Sequence, residues 1–160
     1  MTELEEIYNS YFKDVYYFIY SISKDRHIAE DLTSETFVKA MKSIESFKGN
    51  CDIKVWLFQI AKNSYYSYIR KHKKLVGLDS VPERKDDFDI EKSLLSSEES
   101  MKIHEIIHNL SEPYKEVFSL RVFGELSFRQ IASLFDKTDN WACVTFHRAR
   151  NKIKEEMRDY

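Results

Sequence analysis

Ser127 to Arg150 reads SFRQIASLFDKTDNWACVTFHRAR, and the rest of the chain is best understood outward from it. Ser127 and Gln130 form an S-x-x-Q capping pair ahead of an apolar run. Ile131, Leu134 and Phe135 follow at i, i+3 and i+4, one face of a helix. Asp136-Lys137-Thr138-Asp139 is a polar break, and Asp139 is placed to cap the next helix. There Ala142, Phe146, Ala149 and Ile153 face inward, while Asn140, Cys143, His147, Arg150 and Lys154 share the opposite side with Arg148 beside them. This is the layout of a DNA-binding helix-turn-helix, whose second helix carries its N-terminal side chains into the major groove. A plain helical hairpin with a solvated basic face has the same spacing, so the choice rests on the surrounding sequence.

The 160 residues include eleven Phe, ten Tyr and two Trp but only three Gly and two Pro. That composition suits long helices rather than sheets with many tight turns. The net charge of −2 gives no bulk nucleic-acid signature. Its distribution is more informative. Lys62, Arg70, Lys71, Lys73 and Lys74 fall together with no acid among them, whereas residues 76 to 109 are mainly acidic. Such a chain binds a polyanion locally while staying near neutral overall. Cys51 and Cys143 show neither zinc-ligand nor disulfide spacing, so no metal or cofactor is expected. No signal peptide or membrane-length apolar run is evident, which implies a cytoplasmic protein with no direct membrane insertion. No H-E-x-x-H or nucleophile motif suggests an enzyme. His104 and His108 are four apart but lack a third ligand.

From the N-terminus, Thr2 and Glu5 form a capping box for a helix to about Ile22, with Ile7, Tyr11, Val15, Phe18 and Ile22 on one side. Asp25 caps a second helix to about Phe47. Its inward residues are expected to be Phe37, Met41 and Ile44, and its acidic outer face to hold Glu30, Asp31, Ser34 and Glu35. Gly49-Asn50 marks a turn. A third helix, about Ile53 to Lys73, has an inward stripe of Leu57, Ile60, Ala61 and Tyr68. A second stripe carries Gln59, Lys62, Asn63, Tyr66 and Arg70. Amide, amine, phenol and guanidinium groups in one line suit nucleic acid: cations for phosphates, amides for base edges, a ring for stacking. A solvated amphipathic face remains the alternative.

Periodicity fades from Leu75 to Ser97, which reads as a linker with a short helix near Ile90 to Leu95. Ile103, Ile106, Ile107 and Leu110 restore it. Ser111 with Pro113 starts a further helix carrying Tyr114, Val117 and Phe118. Gly124 is expected to end that helix in a left-handed conformation. The fold class is therefore all-α: two small helical domains, 1–75 and 98–160, joined by a polar linker at 76–97, the second a helix-turn-helix.

AEDLTSETF at Ala29 to Phe37, FKG at Phe47, WLFQIAKN at Trp56 to Asn63, IRKHKK at Ile69, and LSEPYKEVFSLRVFGELSFRQIASLF followed by HRAR stand in one order. In that order they resemble the extracytoplasmic-function sigma factors, the compact two-domain branch of the bacterial sigma-70 family. The resemblance implies a non-enzymatic subunit that binds bacterial core RNA polymerase and directs promoter-specific initiation. A free-standing helix-turn-helix regulator is the rival, though it leaves the WLFQIAKN stripe unexplained. By resemblance, Glu30, Asp31, Ser34 and Glu35 would face the polymerase. Lys48, Asn50, Gln59, Lys62, Asn63, Tyr66 and Arg70 would hold the −10 element. Arg129, Asn140, Trp141, Cys143, Thr145, His147, Arg148 and Arg150 would serve the −35 element. Cys143 stands where the family often has Lys or Arg, which removes one groove contact. The resemblance also implies an anti-sigma factor as a partner besides promoter DNA.

Overall fold

The computed structural model describes residues 2–47, 49, 52–76 and 98–159. Seven α-helices and a single 3-10 turn account for the secondary structure among them: α1 (Glu3–Ser23), α2 (Arg26–Ser43), the turn Ile44–Ser46, α3 (Ile53–Val76), α4 (Glu98–Asn109), α5 (Tyr114–Val122), α6 (Phe128–Phe135) and α7 (Asp139–Arg158). The expected linker helix near Ile90 lies outside the described residues.

Local chemistry sets most helix ends. The Thr2 hydroxyl accepts from the Glu5 backbone while the Glu5 carboxylate accepts from Thr2 N–H, the reciprocal capping box. Lys24 closes α1 at φ 57°, and the Asp25 carboxylate then accepts from His27 and Ile28 to open α2. Ser127 and Gln130 repeat the box at α6. Three expectations shift by one or two residues. α7 is capped by Thr138, whose hydroxyl accepts from Trp141 N–H, and Asp139 is its first helical residue. α5 begins after Pro113 with no side-chain cap from Ser111. The left-handed residue after α5 is Glu125, at φ 54°, rather than Gly124.

α1, α2 and α3 pack around Val15, Phe18, Ile19, Leu32, Leu57 and Ala61, all 4% exposed or less. Phe58 is also fully buried, although the sequence reading did not include it in the inward stripe. Ile60 and Tyr68 are only partly buried against the core. On α2 the inward face is Ala29, Leu32, Thr33, Thr36, Phe37 and Ala40, and Met41 is half exposed at 52%. The two buried threonines donate to the carbonyls of Ala29 and Leu32, so neither hydroxyl is left unpaired.

The C-terminal helices do not stand apart from this core. Val117, Leu120, Leu126, Ile131, Leu134 and Ala142 belong to the same apolar cluster as Phe18 and Phe58. α4 adds a smaller one, in which Ile106, Ile107 and Leu110 meet Ile153 of α7. Phe58 explains Gly124. A Cβ at that glycine would stand 2.9 Å from the Phe58 ring and 2.8 Å from the Leu120 carbonyl oxygen. The glycine serves close approach between the two helical units, not a left-handed turn.

Candidate nucleic-acid interface

The acidic residues of α2 form an outward surface. Glu30, Asp31, Ser34 and Glu35 are all exposed, on the side opposite Thr33 and Phe37. Glu35 pairs with Lys39 at 3.2 Å, and Glu30 stands 3.9 Å from Arg26. At this exposure each pair contributes little to stability and leaves the carboxylates available to a partner.

The polar stripe of α3 is brought together as the spacing predicts, but it is not all free. Gln59 donates to Asn63 at 3.1 Å, and Arg70 donates to Ser67 at 3.2 Å. Asn63 and Arg70 are exposed, whereas Gln59, Lys62 and Tyr66 are partly covered. The cover is α5. The Tyr66 hydroxyl donates to Glu116 Oε2 at 2.7 Å, and the Lys62 ammonium lies 3.3 Å from Oε1 of the same carboxylate. That second contact is an ion pair without hydrogen-bond alignment. The ammonium also stands 3.9 Å from the centre of the Phe135 ring. Burial, then the Glu116 charge, pushes the Tyr66 hydroxyl far above its ordinary range. Lys48 and Asn50 lie outside the described residues.

Glu116 and Phe135 were not among the sequence candidates. One signal for Glu116 was available: it stands one turn before Leu120, on the apolar face of α5, where an acid needs a partner. Its partners lie some fifty residues away, which no local pattern reveals.

The helix-turn-helix places Arg129, Asn140, His147, Arg148 and Arg150 on its exposed side, with Trp141 and Cys143 half-buried. Trp141 packs its ring 5.2 Å from that of Phe135, and His147 stands near Phe128 and Phe146. Thr145 differs from expectation. It is 5% exposed and faces inward, in the same register as Ala142 and Ala149, so its side chain is not on the exposed surface of the helix. Lys137, which the candidate set omitted, is exposed in the turn with its ammonium 6.0 Å from the Trp141 ring. Among the described residues no cluster of His, Cys, Asp and Glu could hold a metal ion, and no helix is long and apolar enough to cross a membrane.

Comparison with known proteins divides the chain into two regions. The family model for Sigma-70 region 2 matches residues 7–75, and that for Sigma-70 region 4 matches residues 100–153. The chain is 34% identical over 159 residues to the ECF RNA polymerase sigma factor SigM of Bacillus subtilis, covering 94% of this chain and 93% of that protein. It is 30% identical over 143 residues to the ECF RNA polymerase sigma-E factor of Haemophilus influenzae, covering 82% and 76%. Among solved structures, it resembles the sigma factor RpoE of Bartonella quintana, determined in complex with the anti-sigma factor NepR. The TM-score is 0.75 at 23% identity, over 99% of this chain and 98% of that one. CnrH in complex with the cytosolic domain of CnrY gives a TM-score of 0.73 at 16% identity, over 98% and 88%.

Proposed function

We propose a division of labour among the surfaces of this chain, which belongs to the extracytoplasmic-function sigma factors of the sigma-70 family. As a sigma factor it binds bacterial core RNA polymerase and directs promoter-specific transcription initiation. The observation that carries this is the pair of region models matching in order along one chain, together with 34% identity over nearly its whole length.

Residues 1–75 form the unit that meets core enzyme and the −10 element, 76–97 the linker, and 98–160 the unit that meets the −35 element. Glu30, Asp31, Ser34 and Glu35 dock on the polymerase through their exposed carboxylates and hydroxyl. Gln59, Lys62, Asn63, Tyr66 and Arg70, with Lys48 and Asn50 of the preceding loop, hold the −10 strand once it is melted. Drawing a base from the stack costs a few kcal/mol, which amide contacts and an aromatic ring offset. Asn140, Trp141, Cys143 and His147 approach base edges of the −35 duplex, and Arg129, Arg148 and Arg150 its phosphates. The protein catalyses no reaction of its own and acts in the cytoplasm, where its polymerase is. An anti-sigma factor is its expected partner, as RpoE is found in complex with the anti-sigma factor NepR.

Co-elution with core polymerase followed by run-off transcription from genomic fragments tests the reading. Promoter recognition should require core enzyme; specific binding by the chain alone would favour a free-standing regulator. Asn63→Ala should leave core affinity unchanged and reduce permanganate-reactive open complexes.

A further inference from the structure

Val144 has no part in the surfaces assigned above, and its place in α7 gives it one. Thr145, expected on the outward side of that helix, is turned inward with Ala142 and Ala149, and Val144 takes the outward position, 37% exposed. Among the described residues of α6 and α7 it alone is a large apolar side chain left exposed, and it belongs to neither apolar cluster. Single exposed valines are common on protein surfaces. This one is set apart by its neighbours. Asn140 stands one turn before it, His147 and Arg148 one turn after, and all three are exposed. Val144 is therefore an apolar spot inside a hydrogen-bonding surface. It lies at the sixth residue of α7, in the half of a recognition helix that enters the major groove.

The major groove offers such a spot one apolar group, the C5-methyl of thymine; the other distinguishing groups are donors and acceptors. A valine set against a donor or acceptor strips its water and returns no hydrogen bond. Set against the methyl, it strips nothing polar and buries apolar surface on both sides. Its branching at Cβ holds both methyl groups nearly fixed on a helix, so contact costs little rotamer freedom.

We propose that Val144 is a specificity-determining residue for the −35 element, selecting thymine at one position through contact with its C5-methyl group. The proposal rests on the assignment of α7 to the −35 duplex made above. Asn140 and His147 set the register by hydrogen bonds on either side. Cytosine at that position presents an amino donor and no methyl, and a purine presents N7, so each loses the contact.

The test uses holoenzyme reconstituted from core polymerase and the full chain. A −35 library selects the preferred duplex. Each thymine in it is then replaced singly by deoxyuridine, which keeps every donor and acceptor and lacks only the methyl group. Mobility shift of labelled promoter fragments reads affinity. For wild type, one such replacement should weaken binding about fourfold, the contribution of one buried methyl group. In Val144→Ala the same replacement should have no effect. That variant should fold, since the side chain is exposed and Ala favours a helix, and circular dichroism checks it. A wild-type element with no uracil-sensitive thymine, or a sensitivity that survives unchanged in Val144→Ala, would overturn the proposal. A uracil effect arising from altered duplex shape gives the second of these results. Asn140→Ala and His147→Ala test the premise in the same library. If both keep the wild-type −35 preference, as Val144→Ala then also would, the assignment of α7 to the −35 duplex fails and the proposal with it. If they shift preference while uracil sensitivity survives Val144→Ala, the role of Val144 alone falls.

Discussion

The Phe58 ring of α3 closes over Gly124, at the end of α5, so tightly that the glycine has no room for a side chain. This contact joins the two helical units through apolar packing, one turn of α3 away from the ion pair between Lys62 and Glu116.

Gly124→Ala is expected to destabilise the chain by about 1–3 kcal/mol, since neither the buried ring nor the Leu120 carbonyl can retreat freely. For a chain of this size that is a fall of several degrees in Tm, at roughly 2–4 °C per kcal/mol. Differential scanning calorimetry checks it. A variant as stable as wild type would mean that Phe58 is not held where the structure places it. Phe58→Ala with Gly124→Ala should cost less than the two single changes added, because the enlarged residue would fill part of the cavity.

Charge reversal at Asp31 and Glu35 together should weaken core polymerase binding while leaving helix content unchanged. Both side chains are exposed, and Glu35 has only the surface pair with Lys39 to lose. Surface plasmon resonance against immobilised core enzyme reads the effect. Undiminished affinity would move the docking face elsewhere.

Ala149 is fully buried, which anchors that turn of α7 against the core and limits how far Arg148 and Arg150 can reach toward base edges. His147→Ala should therefore change sequence preference in a −35 substitution library, by roughly 1–3 kcal/mol at the position it reads. Arg150→Ala should weaken binding to all sequences and lower the salt slope by about one. Cys143→Arg should add affinity or alter the preferred sequence. If Arg150→Ala changes preference and His147→Ala only scales output, the two roles are exchanged. Thr145→Val, at an inward position, should leave sequence preference unaltered.

His108 gives a pH dependence with a definite sign. Burial, then the charges of Lys115 and Lys24, push its pKa down to about 4, against the opposing effect of a hydrogen bond to the Ile22 backbone. The folded chain therefore binds fewer protons at this site than the unfolded chain between pH 4 and the ordinary value of 6.5. The stability this neutral histidine contributes is complete above that window and is lost as pH falls through it. Urea titrations at stepped pH should show His108→Gln losing less stability than wild type from pH 6.5 to 4. Parallel curves would show that His108 is not held neutral between α1 and α5.

Much of the chain was legible in its residues, because the interactions concerned span four positions or fewer. Both capping boxes, the Asp25 cap, the buried Ile7, Val15, Phe18 and Ile22 of α1, the buried Ala142, Ala149 and Ile153 of α7 and the existence of every described α-helix follow from i to i+4 chemistry. The order of short motifs along the chain likewise identified the family. Where two neighbouring residues could serve one local role, the packed structure chose between them. Thr138 rather than Asp139 caps α7, Glu125 rather than Gly124 takes the left-handed conformation, and Phe58 joins Leu57 in the core. Thr145 turned inward because a hydroxyl-bearing side chain small enough to pack beside Ala142 and Ala149 carries no outward signal of its own. The contacts of Glu116 with Tyr66 and Lys62 were beyond local reading altogether. Tyr66 and Glu116 are 50 positions apart, and a carboxylate on an apolar helix face declares that it needs a partner without saying which. Only the tertiary arrangement that brings α5 to α3 supplies that partner.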